Sequence, residues 1–254
     1  MYTKTMQIIA VPTPLLSRTS NLAAEIVKRT TFSQGDIIVI SSKVVALTEG
    51  VAVSLASFTP SAQAVELSKV CHQDPRFTEF ILSETRRMNG EVVGVSPHVL
   101  LTSLRIAEKK GRILCPNAGA DLSNIDDDHA IGWPLDPVLS AKKLSEALGV
   151  PVIISDSCCV PGRLGVIAFA LTCAGIDPFR SEVGHRDLFG KKLQFTQEAV
   201  ADQLAVAANA VMGNSAQSIP AAIIRDAGIP PSDFSGWVDG IDPENDLFRG
   251  ILKA

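Results

Sequence analysis

The residues best suited to chemistry sit where very apolar runs end. Ser155-Asp156-Ser157 follows Val150-Pro151-Val152-Ile153-Ile154, and Ile113-Leu114-Cys115 leads into Pro116-Asn117-Ala118-Gly119-Ala120-Asp121-Leu122-Ser123-Asn124. A strand end is where a rigid sheet presents side chains to a ligand. Two carboxylates, Asp121 and Asp156, with hydroxyl and amide oxygens beside them, suit the all-oxygen donor set that Mg2+ or Mn2+ takes, with positions left open for phosphate. The same residues also read as Asx turns and caps closing two strands, so spacing alone leaves both readings open. Ser41-Ser42-Lys43 ends a third apolar run, where Lys43 is either a point charge for phosphate or a solvated side chain.

Several other chemistries have no support. There is no G-x-x-x-x-G-K-[ST], and no G-x-G-x-x-G between a strand and a helix, so a nucleotide site must be built differently. A nucleophile elbow is also lacking, and His72, His98, His129 and His185 show no zinc spacing and read as surface or satisfied core residues. Five cysteines, odd in number and without C-x-x-C spacing, read as free thiols in a reducing cytoplasm. A disulfide between Cys158 and Cys159 would force neighbouring Cα atoms into a strained geometry.

The elements that must carry these residues follow from hydrophobic periodicity. Strands are predicted at Gln7–Val11, Asp36–Ser41, Val51–Leu55, Glu91–Val95, His98–Thr102, Arg112–Leu114, Val150–Ser155, Val166–Leu171 and Ala221–Arg225. Helices are predicted at Leu22–Arg29, Pro60–Cys71, Pro75–Met88, Ser140–Leu148 and Thr196–Met212. Thr196 reads as an N-cap, Val200, Leu204, Ala208 and Val211 recur at helical spacing, and Gly213 can take a left-handed C′ position. Thr59-Pro60 reads as a hydroxyl cap before a first-turn proline, and Ser140 and Gly149 bracket a short helix. No regular βαβ repeat emerges, which predicts a mixed α/β (α+β) fold with partly antiparallel sheets and flanking helices. Residues 1–227 are expected to form the catalytic domain, in one piece or as two interleaved subdomains. Residues 228–254 read as a loop closed by a short docking helix at Asp246-Leu247-Phe248-Arg249.

Composition sets the outer bounds. The 254 residues are 46% hydrophobic with a mean hydropathy of +0.23, enough for a large core without staples. Lysine and arginine number 23 against 27 acids, net −4, and like charges cluster only in short runs such as Lys109-Lys110 and Asp126-Asp127-Asp128. No nucleic-acid or anionic-membrane surface is expected. Met1-Tyr2-Thr3-Lys4-Thr5 leads into a stretch broken by Pro12 and Pro14, and no apolar run reaches the ~20 residues of a bilayer span, so neither export nor an anchor is expected.

Taken in order, S-S-K-V-V-A-L-T-E-G (from Ser41), C-P-N-A-G-A-D-L-S-N (from Cys115), P-L-D-P (from Pro134), V-I-I-S-D-S (from Val152), H-R-D-L-F-G-K-K-L (from His185), V-A-D-Q-L (from Val200) and V-M-G (from Val211) resemble the gamma-glutamyl ligases of the deazaflavin coenzyme F-420. The collinear match runs from about Gln7 to Arg225. The resemblance implies the gamma-glutamyl-ligase fold in an intertwined, cytoplasmic homodimer. It also implies GTP- and divalent-metal-dependent joining of L-glutamate to a carboxylate of the coenzyme precursor, through an acyl phosphate. ATP is the alternative nucleotide, and K+ a further candidate ion.

Position by position, the resemblance makes Asp121, Asp156, Ser157 and Asn214 metal ligands, and Asn124 a nucleotide contact. Thr13, Pro14, Leu15, Leu16, Ser41, Ser42, Met212, Gly213, Asn214 and Ser215 fall in nucleotide-contacting stretches. Lys43 and Arg163 become candidates for positioning phosphate or carboxylates. The chain departs from the family pattern at Leu47, where a second lysine is usual, at Val160 and Gly162, which replace basic and other motif residues, and at Asn214. Those departures keep open glutamylation of another acceptor, such as a folate-like one, a non-catalytic nucleotide-binding homologue, and a scaffold with an empty pocket.

Overall fold

The computed structural model describes residues 5–106, 111–248 and 250. Lys109-Lys110, Arg249 and the first four residues, on which parts of the sequence reading fall, lie outside them. The strands are β1 (Gln7–Val11), β2 (Ile37–Ser41), β3 (Val53–Ser54), β4 (Glu91–Ser96), β5 (Val99–Arg105), β6 (Arg112–Pro116), β7 (His129–Ala130), β8 (Val152–Cys159), β9 (Val166–Ala174), β10 (Arg180–Ser181), β11 (Gln197–Glu198), β12 (Ala221–Arg225) and β13 (Ser235–Trp237). The helices are α1 (Leu22–Val27), α2 (Ser42–Thr48), α3 (Ala62–Cys71), α4 (Pro75–Arg87), α5 (Pro137–Leu148) and α6 (Val200–Met212).

A six-stranded sheet in the order β1-β12-β2-β8-β9-β13 forms the centre, and β2 with β8 is its single parallel pairing among the described residues. The mixed, partly antiparallel architecture expected from the sequence is therefore the observed one. Alternation along the central strands sends Val39, Ile153 and Ala222 to one face, where Val200, Leu204 and Ala208 of α6 cover them. The opposite set, Ile38, Ile40, Val152 and Ile154, packs on Leu22 and Ile26 of α1 and Ala141 and Leu148 of α5. Each of these buried isoleucines is worth roughly 1.5–3 kcal/mol relative to an exposed one. A second core joins the three-stranded sheet β4-β5-β6 to α4 around the fully buried Trp133.

Differences from the sequence reading have local causes. Helix α3 is capped by Ser61, which accepts the Ala64 N–H at 3.2 Å and itself bonds Glu79, so Thr59 is not the cap. Helix α6 starts at Val200 because Gln197–Glu198 pair with Arg180–Ser181, and Thr196 is held by its carbonyl at Glu182 N. Gly213 has φ 70° but an extended ψ of −178°, unlike Gly149, which adopts the expected left-handed cap. The run Ser42–Thr48 is a helix despite two adjacent valines, since Val45 and Ala46 are buried and tertiary packing overrides propensity. In the tail, Ser235–Trp237 adds an edge strand to β9. No helix forms among the described residues beyond it: Asp242 and Asp246 side chains accept the N–H groups of Glu244 and Phe248, which favours turns.

The cysteines are free: Cys71, Cys115 and Cys173 are buried, Cys158 is half-buried and Cys159 is exposed. No helix among the described residues is long and apolar enough to cross a membrane.

One ion pair ties the sheet together. The Asp36 side chain is fully buried, accepts Arg225 Nε at 2.9 Å and Nη2 at 2.7 Å, and also receives Ser33 N–H. The Arg225 hydrogen bonds hold its carboxyl below the usual range. Its stabilisation is present above the unfolded carboxylate pKa and is lost as pH falls through the lower folded value. Asp36→Asn is expected to lower stability by about 2–3 kcal/mol at neutral pH. Denaturant titration should show that deficit shrinking in acid.

Candidate active site

The pairing of β8 with β9 slips just before the chemistry begins. Ile154 faces Thr172, yet Ser155 faces Ala170, which leaves Leu171 as the extra residue of a bulge. Bulges bend a strand and re-aim its side chains. Here Val152 and Ile154 face the α1–α5 core, whereas Asp156 reaches the Trp133 indole and accepts its Nε1–H. Asp156 Oδ1 also accepts the Ser157 N–H at 2.8 Å. Burial pushes the Asp156 carboxyl up to about 6, with the Trp133 hydrogen bond opposing that rise. Its neighbour Ser157 looks the other way, with Oγ 3.2 Å from Asn214 Oδ1.

Asp121 approaches from the segment after β6. Its carboxylate pairs with Lys43 on α2 and receives Ser123 N–H at 2.7 Å and Ser123 Oγ–H at 3.1 Å, while Lys43 Nζ donates to Ser123 Oγ at 2.8 Å. Burial raises the Asp121 carboxyl, but Lys43 and Ser123 together leave it below its ordinary value. The two carboxylates are thus set apart by their surroundings: Lys43 and Ser123 hold Asp121 below its ordinary value, and burial pushes Asp156 up to about 6.

Around them lies a cavity of about 280 Å3. It is lined by Thr13, Pro14, Leu15, Leu16, Ser41, Lys43, Asp121, Asn124, Asp156, Ser157, Met212, Gly213, Asn214 and Ser215, all residues singled out from the sequence. Backbone bonds lock its rim: Thr13 N–H to Ser218 O and Ser41 N–H to Pro220 O, both 2.9 Å. Asn124 Nδ2 reaches Ser215 O at 3.4 Å. Ser42 is buried in the first turn of α2 and lines no part of this cavity. Arg163 is exposed in the turn between β8 and β9 and borders neither this cavity nor the adjoining one described below. Val160 and Gly162 belong to the same turn, whereas Leu47 is in the cavity wall.

A family profile described as F420-0:Gamma-glutamyl ligase matches residues 10–226. The chain belongs to this ligase family. It is 38% identical over 227 residues to the Coenzyme F420:L-glutamate ligase of Methanothermobacter thermautotrophicus, a span of 85% of each chain. Against the Methanocaldococcus jannaschii protein of the same name it is 34% identical over 252 residues, covering 96% of this chain and 97% of the other. The Methanopyrus kandleri protein, likewise so named, is 34% identical over 257 residues, covering 98% and 93%.

In this family member, four supporting residues escaped the sequence reading. Trp133 is one of two tryptophans, and a buried indole N–H needs an acceptor, a signal that a polar partner exists without saying which. Gly119 ends a run of positive φ at Asn117 (51°), Ala118 (52°) and Gly119 (75°), and a Cβ there would overlap the Trp133 ring. Asn209 and Asp202 lie seven residues apart on α6. Asn209 Nδ2 donates to Asn214 Oδ1 at 3.2 Å, and Asp202 Oδ1 accepts the Ala170 N–H at the bulge at 2.8 Å. Only their polarity inside an apolar helix marks them in the sequence.

Asp121, Asp156 and Ser157 also border a second cavity of about 550 Å3, bounded by the α3–α4 corner, the start of β5 and the Asn117–Gly119 turn.

Proposed function

We propose that this ligase joins L-glutamate to a carboxylate of a small acceptor, the coenzyme F420 precursor, with GTP and a divalent cation, through an acyl phosphate. The observation that carries the reading is the meeting of Asp121 and Asp156, from separate segments, at a cavity whose rim is built of the stretches expected to contact nucleotide. The names of the relatives supply the substrates.

The donor set suits Mg2+ or Mn2+. Among the described residues no group of three or more His, Cys, Asp or Glu could hold a metal. The two carboxylates, the Ser157 hydroxyl and the Asn214 amide oxygen are hard oxygen donors that would hold the cation and leave positions open to phosphate. Bound there, the cation would offset charge on the transferring phosphoryl group. Asn209 holds Asn214 in place, and Trp133 fixes Asp156.

A carboxylate resists an amine until its oxygen becomes a leaving group. An acceptor oxygen attacks the γ-phosphorus of GTP, the bond to the β-phosphate oxygen breaks, and GDP leaves. The glutamate amine then attacks the acyl carbon, inorganic phosphate departs with the former carboxylate oxygen, and the nitrogen sheds a proton. Lys43, held between Asp121 and Ser123 at the cavity wall, would supply a fixed positive charge for phosphate oxygens.

Leu47 presents an apolar side chain to the nucleotide cavity. A charge-assisted phosphate contact is worth about 1.5–3 kcal/mol, so Leu47→Lys is expected to tighten GTP binding at least about tenfold by calorimetry. Wild-type protein should itself bind GTP only with cation present, and a folded protein that binds no nucleotide would remove the ligase reading.

The homodimer belongs to the same proposal. Leu164, Val166 and Ile167 near the β8–β9 turn, and Leu188, Phe189 and Phe195 between β10 and β11, are exposed apolar side chains on two excursions from the core. Such surface is ordinarily covered by a partner. Light scattering should give twice the chain mass, and Leu188→Asp with Phe189→Asp should reduce it to one.

A further inference from the structure

The second cavity lacks the charge that ligation chemistry needs beside it. Asp74, Asp121 and Asp156 reach it, together with His72 and His98, but no lysine or arginine lines it among the described residues. Arg76 pairs with Asp74 at 2.7 Å and Lys43 pairs with Asp121, whereas Asp156 has no ion-pair partner among the described residues. Both organic substrates of an acid–amino-acid ligation carry carboxylates, and an anion entering beside these acids is repelled unless fixed cations offset them.

Unused cations lie on the excursion between β10 and β11. At its tip Asp187 Oδ1 accepts the N–H groups of Phe189 at 2.9 Å and of Lys191 at 2.8 Å, and the Arg186 guanidinium donates to the Gly190 carbonyl. This fixed turn sets the almost wholly exposed Leu188 and Phe189 beside Lys191 and Lys192. The ion pairs of the excursion join Arg180, Glu182, His185 and Glu198, and leave both lysines without one among the described residues. The nine residues of β9, about 30 Å of strand, separate the start of the excursion from the second cavity of its own chain. The cavity instead adjoins the opposite end of the β8–β9 pair, where Cys159 faces Val166 and both line it. There Asp156–Cys159 and Val166–Phe169 pair only with each other, with no third strand beside them, and Leu164, Val166 and Ile167 are exposed.

We propose that in the homodimer the β10–β11 tip of one copy lies against the β8–β9 ribbon of the other and delivers Lys191 and Lys192 to that copy's second cavity, where they receive a substrate carboxylate. The inference rests on the ligase and homodimer reading and adds that each active site is built from two chains. A two-fold axis makes the contact twice, tip on ribbon and ribbon on tip. Apolar side chains cover one another in it, and the lysines meet a cavity of opposite charge.

Cys159 reports on the contact without turnover, being exposed and on the cavity wall. A short cross-linker with one maleimide and one amine-reactive end is expected to join Cys159 to Lys191 or Lys192 in a denatured species of twice the chain mass, identified by mass spectrometry. Links confined to one chain, or none to either lysine, would overturn the proposal. Lys191→Gln with Lys192→Gln should keep GTP binding and dimer mass and raise the KM of glutamate or of the acceptor at least about tenfold; an unchanged KM for both would contradict it. Co-expressed with Asp156→Asn, the double variant should recover about a quarter of the wild-type rate at low substrate, because about half the dimers are mixed and each holds one intact site. No recovery would place the lysines in their own chain's site and overturn the assignment. Links between chains in a protein that ligates nothing would keep the interface and remove the ligase reading, so the two failures are distinguishable.

Discussion

Asp156→Asn is expected to abolish cation-dependent GTP binding and to stabilise the cation-free protein at the same time. The carboxylate sits in a buried pocket that pushes it up to about 6 from an ordinary 3.8. Such a shift means the folded state binds the proton more tightly than the unfolded one, so this group favours folding at low pH and opposes it as pH rises through about 6. The rise from 3.8 to about 6 amounts to about 3 kcal/mol at pH 7.5. Asparagine keeps an oxygen for the Trp133 N–H and removes the charge that causes the penalty. It also removes one of the two carboxylates proposed to hold the cation, with an expected affinity loss of about a hundredfold. Thermal unfolding without cation should rise in the variant, and calorimetry with GTP and Mn2+ should show no binding. In the wild type the same titration should weaken as pH drops below about 6, because a protonated Asp156 is no ligand.

Gly119→Ala should damage the site from outside it. The residue has φ 75°, where an L side chain is strained, and the added Cβ would collide with the Trp133 indole that donates to Asp156. Backbone strain costs about 1–2 kcal/mol, and the displaced tryptophan can no longer hold the carboxylate. Losing a group that orients a metal ligand typically costs about 10–100-fold in affinity, and that drop is expected in Mn2+-dependent GTP binding. Trp133→Phe separates the two effects: it deletes the N–H while leaving Gly119 free, so it should reproduce the affinity loss with less loss of stability.

The sequence was most legible where one physical signal acted alone. Gln7–Val11 and Ala221–Arg225 are strands at the predicted bounds because turn residues bound their apolar runs, Pro12 after the first and Pro220 and Asp226 on either side of the second. Asp121 and Asp156 stood out because carboxylates at the ends of apolar strands are unusual. The helix at Ser42–Thr48 was not legible, since its valines favour strands locally and only burial of Val45 and Ala46 reverses the preference. Thr196 misled because it is a good cap in isolation, and a two-residue pairing with β10 decides otherwise. Trp133, Asn209 and Asp202 act on the site across long sequence separations, which no local pattern encodes. Ser42 and Arg163 entered through family resemblance, and the fold holds them outside the cavity wall.

The most direct test of the ligase account is to incubate the purified protein with GTP, Mg2+, isotopically labelled L-glutamate and the coenzyme F420 precursor, and to weigh the products. The account predicts an acceptor heavier by one glutamate less one water, formed mole for mole with GDP and inorganic phosphate. GTP binding with no glutamylated product, or product formed without nucleotide consumption, would contradict it.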